Sequence, residues 1–251
     1  MKLRCDKIIV TGGGSGIGAA IARRLIDAGA SVVAAGRTAE KLQSTAEAIA
    51  SERLHILEWD IADVNGIPKK LDEAAALMGG LNGLVNAAAL GTGVLTGRGY
   101  EPWDITEDEW DALMDVNCKG TFFMMRDMID YLLARHEKGN ILNIASNAAC
   151  MDIVGSYGVS KLGLIRLTRA LGKKYGSEGI IINGIAPGAT FTPMIARYAK
   201  HIDDPYPRHA IGRFIRPDEI AELAYYLMSD YGEIICGHTV VADGGDRAAT
   251  L

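Results

Sequence analysis

Several things are scarce in this chain, and each scarcity narrows what it can be. No apolar run approaches the roughly 18 residues needed to cross a bilayer, so no membrane-spanning helix is expected. Basic runs are missing too: 26 Lys and Arg stand against 31 Asp and Glu, a net charge of −5. A mildly acidic chain without basic clusters makes a poor surface for nucleic acid. The four cysteines, Cys5, Cys118, Cys150 and Cys236, are far apart and form no Cys-x-x-Cys pair. Neither a disulfide framework nor a metal centre is therefore expected, and small buried thiols are their expected role. The first residues, Met1-Lys2-Leu3-Arg4-Cys5-Asp6, lack the apolar core of a secretion signal, which makes the cytoplasm the expected compartment. Repeats, low-complexity tracts and interdomain linkers are also missing, so the 251 residues, 49% of them hydrophobic, are expected to fold as one domain, 1–251.

What is present begins with Lys7-Ile8-Ile9-Val10-Thr11-Gly12-Gly13-Gly14-Ser15-Gly16-Ile17-Gly18. An apolar strand feeds a glycine-rich turn, and a helix pattern follows through Ile21, Ala22, Leu25 and Ile26 to Gly29. Bare backbone N–H groups at a helix N-terminus, with the helix dipole behind them, make a phosphate site. Glycines let that backbone come close to a pyrophosphate. As a dinucleotide fingerprint the turn fits only loosely, as Gly14-x-Gly16-x-x-Ala19. Thr11-Gly12, then Gly16 and Gly18, is the better description.

Six further short apolar runs follow: Ser31 to Ala35, Leu54 to Trp59, Gly83 to Asn86, Gly139 to Ile144, Gly179 to Asn183 and His238 to Val241. Helical patterns lie between them, over about Thr38 to Ala50, Gly66 to Met78, Glu107 to Arg135, Tyr157 to Tyr175 and Pro217 to Ser229. A polar loop spans Gly91 to Thr106, and an irregular, proline-rich stretch runs from Pro187 to Arg216. Strands that are apolar throughout and alternate with helices predict an α/β fold, a doubly wound parallel sheet of about seven strands with helices on both faces. Ligands of such sheets lie at the carboxyl ends of the strands.

Two features bear on chemistry. The second strand ends in Ala35-Gly36-Arg37-Thr38, with no carboxylate for ribose hydroxyls and a guanidinium suited to a 2′-phosphate. NADP(H) is therefore expected over NAD(H). The other is Tyr157-Gly158-Val159-Ser160-Lys161, which puts Tyr and Lys on one helical face. Bringing a phenol from about 10 to about 7 takes roughly 4 kcal/mol. One ammonium at about 4 Å supplies roughly that at an effective dielectric near 20. The pair is sufficient as a general acid/base. Ser146 sits just beyond the fifth strand, and Asn117 interrupts the long helix pattern, where asparagine has poor propensity.

In this order the motifs resemble those of the short-chain dehydrogenase/reductase family, over nearly the whole chain. Further matches are Asn183-Gly184-Ile185-Ala186-Pro187-Gly188, Gly212-Arg213-Phe214, Arg216-Pro217-Asp218-Glu219 and Gly237-His238-Thr239-Val240-Val241-Ala242-Asp243-Gly244-Gly245. The resemblance implies a Rossmann-like enzyme moving a hydride between NADP(H) and a ketone/secondary alcohol pair. In it Tyr157 exchanges the proton, Lys161 acidifies Tyr157 and holds ribose hydroxyls, Ser146 binds the reacting oxygen, and Asn117 anchors a relay water. Cofactor contacts are implied for Gly12, Ser15, Gly16, Ile17 and Gly18 in the turn, and for Arg37 and Thr38 after the second strand. Others are implied for Asp60 and Ile61 after the third strand and for Asn86 and Ala88 after the fourth. Pro187, Gly188, Thr190 and Thr192 would seat the carboxamide. About 190–216 would form the substrate lid, carrying Tyr198, His201, Arg208 and His209, with both histidines expected in solvent.

The chain departs from the family pattern in two places. Asn86-Ala87-Ala88-Ala89 stands where the family reads Asn-Asn-Ala-Gly, and Ser146 lies only eleven positions before Tyr157, about two short. Ser156, beside the helix start, is a second candidate for the serine role. The long apolar helix pattern, from Phe122 to Leu133, is expected either to fill the core or to meet a second subunit in a homodimer or homotetramer. An NADP(H)-binding redox sensor without turnover, or an enzyme using the nicotinamide only transiently, remains open at this point. So does an NAD(H)-dependent enzyme.

Overall fold

A computed structural model describes residues 1–93, 104–151, 155–195 and 200–246. Seven strands form one sheet: β1 (Lys7–Thr11), β2 (Ser31–Gly36), β3 (Leu54–Glu58), β4 (Gly83–Asn86), β5 (Gly139–Ile144), β6 (Ile180–Pro187) and β7 (Thr239–Ala242). Their order is β3-β2-β1-β4-β5-β6-β7, every pairing parallel. The helices are α1 (Gly16–Asp27), α2 (Ala39–Ile49), α3 (Ile67–Met78), α4 (Glu107–Met114), α5 (Thr121–Ala134), α6 (Ser156–Tyr175) and α7 (Pro217–Leu227). This is the doubly wound fold expected, with its switch of direction between β1 and β4. β6 runs four residues past its expected end at Asn183, because Gly184 to Pro187 pair with Thr239 to Ala242 of β7.

Period-two alternation divides the core. Ile8, Val10, Val32, Leu142 and Ile185 point to one side of the sheet, into a cluster with Ile21 and Leu25 of α1 and Ile220 and Leu227 of α7. Ile9, Val33, Leu84, Ile141 and Ile182 point to the other, against Leu71 of α3, Met124 and Met128 of α5 and Leu164 of α6. Both faces are covered, which is why the strands are apolar at successive positions. Among the described residues no helix is long and apolar enough to cross a membrane.

The single helix expected from Glu107 to Arg135 is instead two helices joined by a π turn, Asp115–Gly120. Side chains hold the irregularity in place. Asn117, fully buried in the turn, receives the Leu90 N–H on Oδ1 and donates from Nδ2 to the Leu90 carbonyl, both at 2.8 Å. Thr121 Oγ1 donates to the Val116 carbonyl at 3.2 Å. Within the described part of the expected loop, Thr106 opens α4, accepting the Glu109 N–H while Glu109 accepts its own. Met124, Met125, Met128, Ile129 and Leu132 lie within the chain's own core, so the core accounts for most of the apolar character of α5. Phe122 stays on the outside.

Candidate active site

A cavity of about 590 Å³ opens at the carboxyl ends of the strands. Its floor is the turn between β1 and α1, where Gly12 and Gly18 have no room for a Cβ. A Cβ on Gly12, whose φ is +70°, would stand 2.8 Å from the Ala88 nitrogen. One on Gly18 would stand 2.3 Å from the Gly12 carbonyl oxygen. The main chain of Gly12, Ser15, Gly16, Ile17 and Gly18 therefore faces the cavity directly. Ser15 occupies the N-cap position of α1 without making a side-chain capping bond, and its hydroxyl is left for a ligand. The first-turn N–H groups have no intrahelical acceptor. This cradle fits a pyrophosphate.

Thr11 fixes the opposite wall. Its Oγ1 accepts the N–H of Ala87 at 3.1 Å and of Ala88 at 3.2 Å, so the Ala87-Ala88-Ala89 departure keeps its main chain at the cavity edge. Asn86 turns away, into the sheet, where its Nδ2 donates to Asn143 Oδ1 at 2.9 Å; Asn143 donates in turn to Thr168 Oγ1 of α6. Of the expected adenosine-side residues Ala88 lines the cavity, while Arg37, Thr38, Asp60, Ile61 and Asn86 stand outside it. Arg37 and Asp60, both half-exposed, face each other across the ends of β2 and β3 at 3.9 Å. Thr38 sits at the N-cap position of α2 without a side-chain bond, and Ile61 is buried in the core.

Three of the four residues expected to carry chemistry meet in the cavity: Ser146, Tyr157 and Lys161. Lys161 comes from the second turn of α6 and is almost fully buried. Its Nζ donates to the Ile144 carbonyl at 2.9 Å and lies 5.8 Å from the centre of the Tyr157 ring. Burial pushes its ammonium down to about 8 from the ordinary 10.5. Ser146 Oγ accepts the Ala148 N–H at 3.2 Å, which leaves the hydroxyl proton to donate into the cavity. Asn117 does not line the cavity; its Nδ2 also donates to Ser160 Oγ, one residue from Lys161, at 3.3 Å. Ser156 is buried outside the cavity, and its hydroxyl has no partner among the described residues, which favours Ser146.

The far wall is the segment after β6. Pro187, Gly188, Thr190 and Thr192 line the cavity, and Thr190 Oγ1 donates to the Gly188 carbonyl at 2.9 Å. Of the two histidines expected in solvent, His201 is there and His209 is not: only 1% of it is exposed. Its Nε2 accepts the Ala189 N–H at 3.3 Å, so Nδ1 carries the proton and donates to the Arg213 carbonyl at 2.9 Å. The ring is a neutral brace between two loops. Glu219, clamped by Arg213, is held down to about 2 and fixes the end of this wall at α7. Tyr198 lies outside the described residues.

The sequence reading missed one polar group in the cavity. Asp246, buried, accepts from Arg208 Nε at 2.8 Å and from Asn147 Nδ2 at 3.0 Å. Asn147 adjoins Ser146, but 38 and 99 positions separate these partners from Asp246, and no local pattern links them.

The family model described as enoyl-(acyl carrier protein) reductase matches residues 12–246. The chain belongs to the short-chain dehydrogenase/reductase family. It is similar to the 2,5-dichloro-2,5-cyclohexadiene-1,4-diol dehydrogenase of Sphingobium indicum, 34% identical over 96% of both chains. A solved short-chain dehydrogenase from Burkholderia cenocepacia, in complex with NADP, superposes with a TM-score of 0.85 at 32% identity, covering 99% of this chain and all of that one. The 3-ketoacyl-(acyl-carrier-protein) reductase of Brucella melitensis, complexed with NADH, gives 0.84 at 27% identity over 95% and 97%. As a short-chain dehydrogenase/reductase the protein is an oxidoreductase of alcohol and ketone substrates.

Proposed function

We propose that the protein interconverts a ketone and its secondary alcohol with NADP(H), using Tyr157 as the general acid/base. The carrying observation is the meeting of Ser146, Tyr157 and Lys161 in a cavity floored by the glycine turn. The main chain from Gly12 to Gly18 and the Ser15 hydroxyl would hold the pyrophosphate, and Arg37, Thr38, Asp60, Ile61, Asn86 and Ala88 would surround the adenosine. Pro187, Gly188, Thr190 and Thr192 would position the nicotinamide, which when bound supplies the hydride chemistry. Ser146 donates a hydrogen bond to the substrate oxygen. Tyr157 gives that oxygen its proton in reduction and takes it back in oxidation. The Lys161 ammonium stabilises the phenolate left behind. Asn117 keeps α6 and the loop at Leu90 in register with this group and would hold a relay water.

The test is a panel of carbonyl compounds followed by NADPH and NADH consumption. Net oxidation of the cofactor supports the proposal; binding without turnover, or isomerised product without net oxidation, sinks it.

The cofactor preference rests on Arg37, since the two complexed relatives carry different dinucleotides. Its guanidinium is half-exposed, with Asp60 at 3.9 Å too loosely placed to satisfy it. Arg37→Ala is expected to weaken NADP binding about tenfold or more, one or two charge-assisted hydrogen bonds. NAD binding should change by less than threefold. Fluorescence titration with both dinucleotides checks this; equal weakening would assign Arg37 no part in the choice.

A homodimer or homotetramer is part of the proposal. Trp110 of α4, Phe122 of α5, and Val159 and Leu162 of α6 are large apolar side chains left exposed, and Val159 is 51% accessible. Light scattering at micromolar concentration is expected to give two or four times the 26.8 kDa chain mass, and a monomer would contradict it.

A further inference from the structure

Three charged side chains line the cavity among the described residues: Lys161, Arg208 and Asp246. Lys161 is committed to the chemistry proposed above. The other two sit on the substrate side, because Asp246 is bonded to Asn147, the residue after Ser146. Around them Met151, Met194, Ile195 and Phe214 supply much of the wall, with Tyr206 beside Arg208. A charged pair in such a wall has a cost unless it does something there.

The geometry within the pair is informative. Asp246, with 2% of its side chain exposed, takes the Nε edge of Arg208 on one oxygen and Asn147 on the other. The carboxylate thereby fixes the plane of the guanidinium. Beyond Nε the fork is weakly paired: Arg208 Nη2 sits 2.8 Å from the Met151 sulfur, a weak acceptor for a charge-assisted donor, and the other neighbour of the guanidinium is the neutral Tyr206 hydroxyl. With 39% of its side chain accessible, Arg208 can reach an incoming ligand. A guanidinium held at Nε by a buried carboxylate, with only a thioether and a phenol against its remaining donors, is prepared for a planar oxyanion. We propose that Arg208 receives a carboxylate on the substrate, remote from the reacting carbonyl, and that Asp246 is its positioning residue. This rests on the catalytic reading given above and narrows its substrate class to keto acids and hydroxy acids.

Methyl-ketone acids with one to three methylenes between carbonyl and carboxylate (3-oxobutanoate, 4-oxopentanoate and 5-oxohexanoate), each beside its primary amide, provide the test. Calorimetric binding to the enzyme saturated with oxidised dinucleotide is measured first, and NADPH-dependent reduction separately. For at least one chain length the acid is expected to bind at least tenfold tighter than its amide. In Arg208→Gln, which can still donate to Asp246, that ratio is expected to fall to near one. Arg208→Lys, which keeps the charge and loses the fork, should give an intermediate ratio and guards against a misfolded glutamine variant. Equal binding of acid and amide by the natural protein overturns the proposal, as does an unchanged ratio in Arg208→Gln. A glutamine variant that loses the dinucleotide as strongly as the acid places Arg208 on the cofactor side and also overturns it. A protein that binds acids over amides yet reduces neither would keep the anion site and lose the catalytic reading. One that reduces both alike would do the reverse.

Discussion

Tyr157→Phe is expected to lower kcat/KM for a ketone by about 10³-fold, within the 10²–10⁴ that a positioned general acid contributes. The substitution removes one oxygen and keeps the ring that lines the cavity beside Lys161. Dinucleotide affinity should therefore stay within about threefold, so the loss falls on the chemical step. Steady-state rates with NADPH, together with a fluorescence titration of the cofactor, check both halves. A phenylalanine variant that turns over within tenfold of the natural enzyme would remove Tyr157 from the reaction. The proton would then have to come from Ser146 or from water.

Lys161→Met should have the next largest effect, and its sign is opposite for activity and stability. Activity is expected to fall by at least about 10²-fold, since the phenolate left on Tyr157 loses its neighbouring positive charge. For stability, the Lys161 ammonium titrates near 8 in the folded protein and near 10.5 when unfolded, burial being the cause. Between those values the unfolded chain binds the extra proton, so stability rises with pH across that window. Below about pH 8 the buried charge costs the natural protein the full difference, on the order of 3 kcal/mol. Methionine carries no such charge. The variant is therefore expected to melt above the natural protein at pH 7, less whatever the lost bond to the Ile144 carbonyl is worth, about 1 kcal/mol. Its advantage should shrink as pH rises toward 10. Paired melting curves at pH 7, 8.5 and 10 check it. A gap that is constant with pH would mean that Lys161 is not desolvated in solution.

The sheet was legible in the sequence because each strand is a short apolar run bounded by Gly, Asp or Asn, and helical spacing fills the intervals. Tyr157 and Lys161 were legible because their relation is local, one helical turn. The π turn was not: a stretch from Glu107 to Arg135 keeps helical composition whether its hydrogen bonds run to the fourth or the fifth residue. Only Asn117, a poor helix former inside the pattern, hinted at it. His209 looked like a solvent residue because its neighbours Asp203, Asp204 and Arg208 are charged. Its burial depends on the Ala189 backbone, 20 positions away, which becomes a neighbour only when the chain folds back toward the end of β6. The Asp246 group was invisible for the same reason. Thr11 was read as part of a glycine pattern, while its hydroxyl also holds the main-chain N–H groups of Ala87 and Ala88.

The π turn also sets the phase of the rod it interrupts. A regular α-helix advances about 100° per residue, so Trp110 and Met124 would lie within about 40° of each other on an unbroken screw. The turn holds back about one residue's worth of rotation, which swings the two to nearly opposite sides. One indole can then look outward while the methionine, fully enclosed, looks into the protein. A single extra residue thus lets one rod serve two surfaces that a uniform helix would have had to merge.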